Sequence, residues 1–600
     1  MSYTPPIRDM MFVMTELAGL NTVAALPGCA DATRDTARAI LEEGARLCGE
    51  VLAPLNAAGD RQPPVWRDGE VSASPGFAEA FAQFVKGGWQ GLMHPVEFGG
   101  QGLPKLIAAP CLEMLMAANL SFGTCPSLTD GAIDALLLAG SAEQKARYLP
   151  KLISGEWTGT MNLTEPQVGS DLALLRARAE PAEDGAYRVF GTKIFITWGE
   201  HDMASNIVHL VLARTPDAPE GIKGISLFLV PKFLPNADGS PGKRNDVHCV
   251  SLEHKLGIRA SPTAVLQFGD GGGATGFLIG EKNRGLEYMF VMMNAARFAV
   301  GLQGIGMADR AYQKAAAYAK ERVQSRPVDG SSERAVPIIR HPDVKRMLAT
   351  MRALTEGARA LAYAAASHHD IAQHHADDAV RAEHRAIYEF LVPIVKGYST
   401  ELSVEVTSIG IQVHGGMGFI EETGAAQYYR DARILPIYEG TTAIQANDLL
   451  GRKTLRDRGA VATQMLARID QTLGALRAHP AFGVRPAFAA MHGHLGAGRA
   501  ALARAIDFIL THAKSDPNAV FAGSVPYLML SGTVLCGWQM ARALMAASAP
   551  QAGDPLFCGA KEATAHFYAT HVLPRALTLE VAILSARGDD GVLALRDEQF

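Results

Sequence analysis

Apolar positions along the chain divide it into stretches of helical and of strand period. Residues 33–55 place apolar side chains at three-and-four spacing, and 112–118 and 132–138 are rich in Ala, Leu and Met, so the segment 31–153 is predicted helical. From Thr158 the period shortens. The runs 187–197, 207–213, 225–230, 247–252 and 264–268 are β-branched or aromatic and separated by Gly, Pro and Asp, which predicts strands. Helical spacing returns over 286–322, 343–366 and 378–409, with lengths suited to an antiparallel bundle, and a further helical region follows from Thr454. The expected class is α+β, mainly α. The expected domains are 1–157 (extension and helical domain), 158–282 (strand domain), 283–453 (helical bundle) and 454–600 (C-terminal helical domain). Residues 326–337 read as a surface loop and 455–459 as a charged linker.

Composition narrows the function classes. Six hundred residues allow about four domains. A hydrophobic content of 48% with 20% charged residues excludes wholesale disorder. A formal charge of −5 argues against nucleic-acid binding, which needs a basic surface. The seven cysteines are scattered, with no C-x-x-C pair, so neither a disulfide framework nor a zinc site is expected and a reducing, cytoplasmic compartment fits. The N-terminus lacks the pattern of a signal peptide. The uncharged run 517–541 contains Asn518, Pro526, Gly532 and Gln539, and is read as a buried helix, so no membrane span is expected.

Two motifs attract attention and fail on context. Gly271 to Gly276 satisfies G-x-G-x-x-G, but a strand-like Phe277-Leu278-Ile279 follows it where a dinucleotide site needs a helix, so a β-turn is expected. His368, His369, His374, His375 and His384 cluster without any i,i+4 pair, and interleaved aspartates mark a polar helix end, so no metal site is expected.

Four further segments carry chemistry. Met161-Asn162-Leu163-Thr164-Glu165-Pro166-Gln167-Val168-Gly169-Ser170-Asp171 is a loop of backbone donors and short hydroxyls, suited to a heterocycle edge or to an ordinary turn. Lys193-Ile194-Phe195-Ile196-Thr197 puts Phe195 and Thr197 on one strand face, as a stacked ring or a half-buried strand would need. Gln412-Val413-His414-Gly415-Gly416 can approach a ligand closely or turn between helices. In Arg430 to Gln445, Thr442 and Gln445 read as a capping box that starts a helix near Ala443, with Glu439 on the chain entering it. That carboxylate has no basic neighbour at helical distance, so desolvation would raise its pKa and make it a general base.

In this order, the four segments resemble the acyl-CoA dehydrogenase flavoprotein family: T-E-P-x-x-G-S-D, I-T-x-G, Q-V-H-G-G-x-G-F and R-D-A-R-I-x-x-I-Y-E-G-T-T all stand in series across 161–450. The length and the helical region after Leu455 are similar to its long subfamily. The resemblance implies a middle β-barrel domain, FAD between barrel and bundle, and an acyl chain entering the bundle. It makes Glu439 the base that removes the α-proton of an acyl-CoA while the β-hydrogen leaves as hydride, giving a trans-2-enoyl-CoA. The oxyanion donors it implies are the Glu439 N–H and a flavin ribityl hydroxyl.

Carried over by position, Met161, Leu163, Thr164 and Gly169 line the isoalloxazine, with Ser170 beside the flavin phosphate or CoA. Phe195, Ile196 and Thr197 meet the ring, and Arg322 with Gln324 the pyrophosphate. Gln412, Val413, His414, Gly415 and Gly416 reach the FAD of a neighbouring subunit, Thr441 caps the cofactor, and Arg297, Tyr438 and Gly440 bind substrate. The chain departs from the family at Ser325 and Arg326, where an aromatic residue and Gly are frequent, at Met161, where an aromatic residue is frequent, and at Ala443, where a polar one is. An electron-transfer flavoprotein as acceptor and a homo-oligomer, a dimer, are further implied. An acyl-CoA oxidase shares these motifs, and a non-catalytic scaffold with the same fold would lack the base.

Overall fold

The computed structural model of the chain describes residues 3–549, 553–585 and 592–600. The N-terminal part is helical and includes α1 (Lys105–Ala118), almost wholly buried, and α2 (Leu120–Ala139), buried over most of its length. The strands follow: β1 (Trp157–Asn162), β2 (Arg178–Pro181), β3 (Tyr187–Thr197), β4 (Asn206–Ala213), β5 (Ser226–Pro231), β6 (Val247–Leu252), β7 (Thr263–Phe268) and β8 (Ala274–Ile279). They form one eight-stranded sheet in the order β6-β7-β3-β8-β5-β4-β1, with β2 also paired to β3. Eleven residues long, β3 pairs with β7, β8 and β2 along its length, and so joins the two halves of the sheet.

The bundle consists of α3 (Gly285–Glu321), α4 (Pro342–His374) and α5 (Asp378–His414), followed by α6 (Thr442–Asn447). The helical C-terminal region includes α7 (Ala460–Ala478) and α8 (Ser524–Ala547). The uncharged run read as a buried helix lies largely in α8, most of whose side chains are buried. Close backbone approach explains that packing: a Cβ on Gly532 would lie 2.3 Å from the Tyr398 ring of α5, and one on Gly397 would lie 2.9 Å from Leu528 of α8. Among the described residues, no helix is long and apolar enough to cross a membrane.

The glycine motif forms the turn that its context predicts. Gly271–Gly273 forms the turn between β7 and β8, where the Gly271 and Gly273 N–H groups donate to Asp246 Oδ2 at 2.8 and 3.1 Å. No cluster of metal ligands occurs among the described residues.

A buried ion cluster ties the helical parts together. Arg359 of α4 donates to Asp9 at 2.7 Å and to Glu113 of α1 at 2.6 and 2.9 Å, and lies 3.2 Å from Asp309 of α3. Lys561 of the C-terminal region pairs with Asp9 and, at 2.8 Å, with Glu356. All are buried, so each charge requires the others.

Candidate active site

After the helix Ala425–Ala432, the chain turns through Arg433–Gly440 before entering α6. Glu439 has φ +56°, a left-handed conformation that costs a side-chain-bearing residue on the order of 1 kcal/mol and persists only when neighbours fix it. Here they do. The Lys396 ammonium of α5 donates to the carbonyls of Leu435 at 2.8 Å and Gly440 at 2.7 Å. Gln445 Nε2 donates to the carbonyls of Glu439 and Gly440, both at 3.3 Å, and the Tyr438 hydroxyl donates to Gln303 of α3. The expected capping box does not form. Thr441 is the N-cap, accepting the Ile444 N–H at 3.3 Å, while Thr442 bonds to Glu401 and Gln445 is drawn back to the turn.

The Glu439 side chain is half-buried, and its own N–H makes no hydrogen bond among the described residues. Burial raises its carboxyl pKa, while the Lys396 and Arg297 charges draw it part of the way back. No basic neighbour stands at helical distance, as expected, but two cations are brought near by α5 and α3. Burial pulls Lys396 down to about 7, partly opposed by Glu439. Arg297 is buried, with Nη1 3.3 Å from Asn294 Oδ1 and 3.5 Å from Asp448 Oδ2, and among the described residues its Nε has no partner. Sequence reasoning missed Lys396; its signal was a single charge following the apolar run 390–395.

The loop after β1 meets β3 through a buried ion pair. Lys193 Nζ donates to Glu165 at 2.8 Å and to the Leu163 carbonyl at 3.0 Å, and Glu165 also accepts the N–H groups of Arg176 and Ala177. Opposite Val265 of β7 the β3 ladder shifts register, and Phe195 takes φ +59°. Its ring is 58% exposed, beside half-buried Leu163, Thr164 and Thr197, with Gly169 and Ser170 exposed and Met161 buried. Ile196 is a correction: its side chain is buried in the sheet core, so only its backbone can meet a ligand. Trp198, one residue past β3, donates from Nε1 to the Ser121 carbonyl and Thr124 Oγ1 of α2, both at 3.0 Å, anchoring this end of the sheet to the helices.

A second clamp lies in the R-D-A-R segment. Arg430 forms a bidentate pair with Asp60, and Asp431 accepts the Ile258 N–H from the loop before β7. These two residues fix the sheet and the N-terminal helices to the segment that leads into the Glu439 turn, a role their sequence did not reveal.

Arg322 and Gln324 are exposed at the end of α3, with Arg322 Nη2 donating to Gln324 Oε1 at 3.3 Å. Gln412, Gly415 and Gly416 are exposed at the same end of the bundle, since Tyr318 of α3 stacks on His414 of α5 at 4.4 Å. His414 and Val413 are corrections, for both side chains turn inward: His414 against Tyr318 and the Gly410 carbonyl at 2.7 Å, Val413 into the core. At 1.5 Å per residue, this end lies about 24 Å along α5 from Lys396. Arg322 and the glycine turn therefore form a group apart from Glu439.

Between the N-terminal helices and α3 lies a cavity of about 80 Å³. Its wall is mainly apolar, with Cys111, Leu115, Phe298 and Leu302, and carries Lys105 and Asp130. The turns of α3 that supply Phe298 and Leu302 also carry Arg297 and Gln303, so one helix joins this cavity to the Glu439 turn.

The chain matches four family descriptions in series: acyl-CoA dehydrogenase N-terminal domain over 34–156, middle domain over 160–270, C-terminal domain over 283–453, and acetyl-CoA dehydrogenase C-terminal like over 465–596. It is 56% identical over 575 residues to 3-methylmercaptopropionyl-CoA dehydrogenase of Ruegeria pomeroyi, covering 96% of each chain. It is 35% identical to a butyryl-CoA dehydrogenase of Syntrophomonas wolfei, over 96% of this chain and 95% of that one. The fold matches the solved acyl-CoA dehydrogenase complexed with FAD from Bacillus anthracis, with TM-score 0.75 and 21% identity, over 95% of this chain and 91% of that one. With the helical, sheet and bundle parts in the family's order, this chain belongs to the acyl-CoA dehydrogenase family, whose members are oxidoreductases.

Proposed function

We propose that this enzyme removes hydrogen across the α,β-bond of a short acyl-CoA thioester, with Glu439 as the base. The observation that carries this reading is the Glu439 turn: a half-buried carboxylate of raised pKa, held in a left-handed conformation beside two buried cations and an unpaired N–H. An α-C–H is weakly acidic, so its removal needs a base stronger than an exposed carboxylate and a means of holding negative charge on the thioester oxygen. Glu439 takes the α-proton, and its own N–H donates to that oxygen. Arg297 and Lys396 add positive charge to the turn without touching the reacting carbons.

The family is FAD-dependent, and the residues present fit that group: an exposed aromatic face at Phe195, hydroxyls at Thr164, Ser170 and Thr197, and space around Gly169, where a Cβ would meet nothing within 4 Å. Bound FAD supplies the acceptor for the β-hydride, leaving a trans-2-enoyl-CoA. An electron-transfer flavoprotein then takes the electrons. Gln412, Gly415 and Gly416 face a neighbouring subunit in a homodimer; the exposed Met417, Phe419 and Ile420 beside them support this. The apolar cavity takes the acyl tail. A cavity of about 150 Å³ holds a benzene, so about 80 Å³ holds roughly three or four carbon-sized groups. That scale, and relatives named for butyryl and 3-methylmercaptopropionyl thioesters, support short substrates.

The test is Glu439→Gln in the FAD-loaded protein, assayed with butyryl-CoA and 3-methylthiopropionyl-CoA. Flavin content and acyl-CoA binding should persist while turnover falls about 10³-fold or more. Turnover retained within tenfold would remove Glu439 as the base.

A further inference from the structure

Where the N-terminal extension, the bundle and the C-terminal helices meet, the fold forms a second, partly open cavity of about 410 Å³. One wall is the turn from Leu17 to Thr22, another is α4 at Ser367 and His368, and the rest comes from Arg468 of α7 with Trp538, Gln539 and Arg542 of α8. Among its described lining residues there is no Asp or Glu. Donors outnumber acceptors there. Arg542 donates to Gln539 Oε1 at 2.8 Å and to the Leu17 carbonyl at 2.6 Å, which fixes the guanidinium in the wall without neutralising it. Gln539 is wholly buried, and among the described residues its Nε2 has no partner. Buried amide donors are almost always satisfied, so an acceptor is missing at this place. Arg468 has a carboxylate partner in Glu383 at 3.1 Å, but that group is 45% exposed and lies outside the lining.

Of the histidines that drew attention in the sequence, His368 lines this cavity. His368 and His384 share a hydrogen bond between their Nδ1 atoms at 2.8 Å. Burial, His384, Arg468 and Arg542 hold His368 at about 3, so it stays neutral and is no acid partner for the arginines. Burial and the Arg468 charge also lower Arg542, the direction expected of a cation lacking its anion.

We propose that this cavity binds a small organic anion, a carboxylate or a phosphate carried on an apolar body. Guanidinium groups recognise both head groups by paired N–H donors, and the Gln539 amide adds a neutral one. Trp538, Ile371 and Leu17 supply apolar wall for the body, and the volume falls in the range of small-molecule sites. A ligand here touches the extension, the bundle and the C-terminal helices together, so its binding stabilises their assembly by mass action.

The experiment uses FAD-loaded protein whose active site is filled with an unreactive thioether analogue of acyl-CoA, so that neither established ligand site is free. Octanoate and inorganic phosphate are titrated separately by calorimetry at low ionic strength. At least one is expected to bind; octanoate alone identifies a carboxylate ligand, phosphate alone a phosphate. Arg468→Gln should weaken that binding by about tenfold or more, with its ligand-free melting temperature unchanged. Thr22→Phe, which fills the cavity from the opposite wall, should abolish it. The proposal is overturned if neither probe binds below about 10 mM, or if binding survives both substitutions at full strength.

Discussion

A carboxylate serving as base near neutral pH must stay ionised yet hold a proton more tightly than an exposed one, and the neighbours of Glu439 act in both directions. Burial raises its pKa and Lys396 opposes that rise. With Glu439 as the proposed base, activity should fall as pH drops through its raised pKa, above the ordinary value of 4.5. Lys396→Met removes the opposing charge and should move the acid limb of kcat/KM upward by about one pH unit. Its profile between about pH 5 and 9, compared with the parent's, checks this. A lower rate with an unmoved limb would mean that Lys396 only braces the Leu435 and Gly440 carbonyls. Glu439 was visible in the sequence because its motif is contiguous. Lys396 and Arg297 were not paired with it there, since more than forty and more than a hundred positions separate them from it along the chain.

At the scale of elements, β3 was legible because its residues alternate and its limits fall at turn-forming residues, and its bounds agree with the strand observed. The end of α4 was not. The reading stopped at 366, where Ser367, His368, His369 and Asp370 resemble a polar terminus, yet the helix runs to His374. Asp370 is buried there and accepts the Lys105 and Leu106 N–H groups at 2.7 and 2.8 Å, capping α1 from a distant helix. The buried Lys193–Glu165 pair shows the same dependence on distant partners, since it locks the loop after β1 onto β3. Glu165→Gln leaves a buried ammonium without its carboxylate and should cost about 3 kcal/mol, read as a lower urea midpoint and faster loss of FAD. Glu165→Gln with Lys193→Met should recover much of that loss. Additive losses in the double variant would show that the two residues act separately.

For the whole molecule, the glycine turn after α5 is an outward-facing feature bordered by exposed apolar residues. Phe419 is 83% exposed, next to Met417 and Ile420. Phe419→Asp should convert the proposed dimer to monomer and release FAD more readily, as measured by light scattering together with flavin absorbance. A flavin-replete dimer in that variant would place the interface elsewhere. Apolar and polar periodicity determined the succession of helical, strand and helical parts, because each element must bury one face whatever its partners are. Contiguous motifs likewise determined the family and singled out Glu439 as the proposed base. Tertiary structure alone decided which cations flank Glu439, that Arg430 and Asp431 clamp three parts of the chain, and that Arg359 gathers the carboxylates of Asp9, Glu113 and Asp309. The physical reason is that a buried charge is tolerated only beside its counter-charge, and those partners come from elements far apart in sequence, which meet only when the chain has folded.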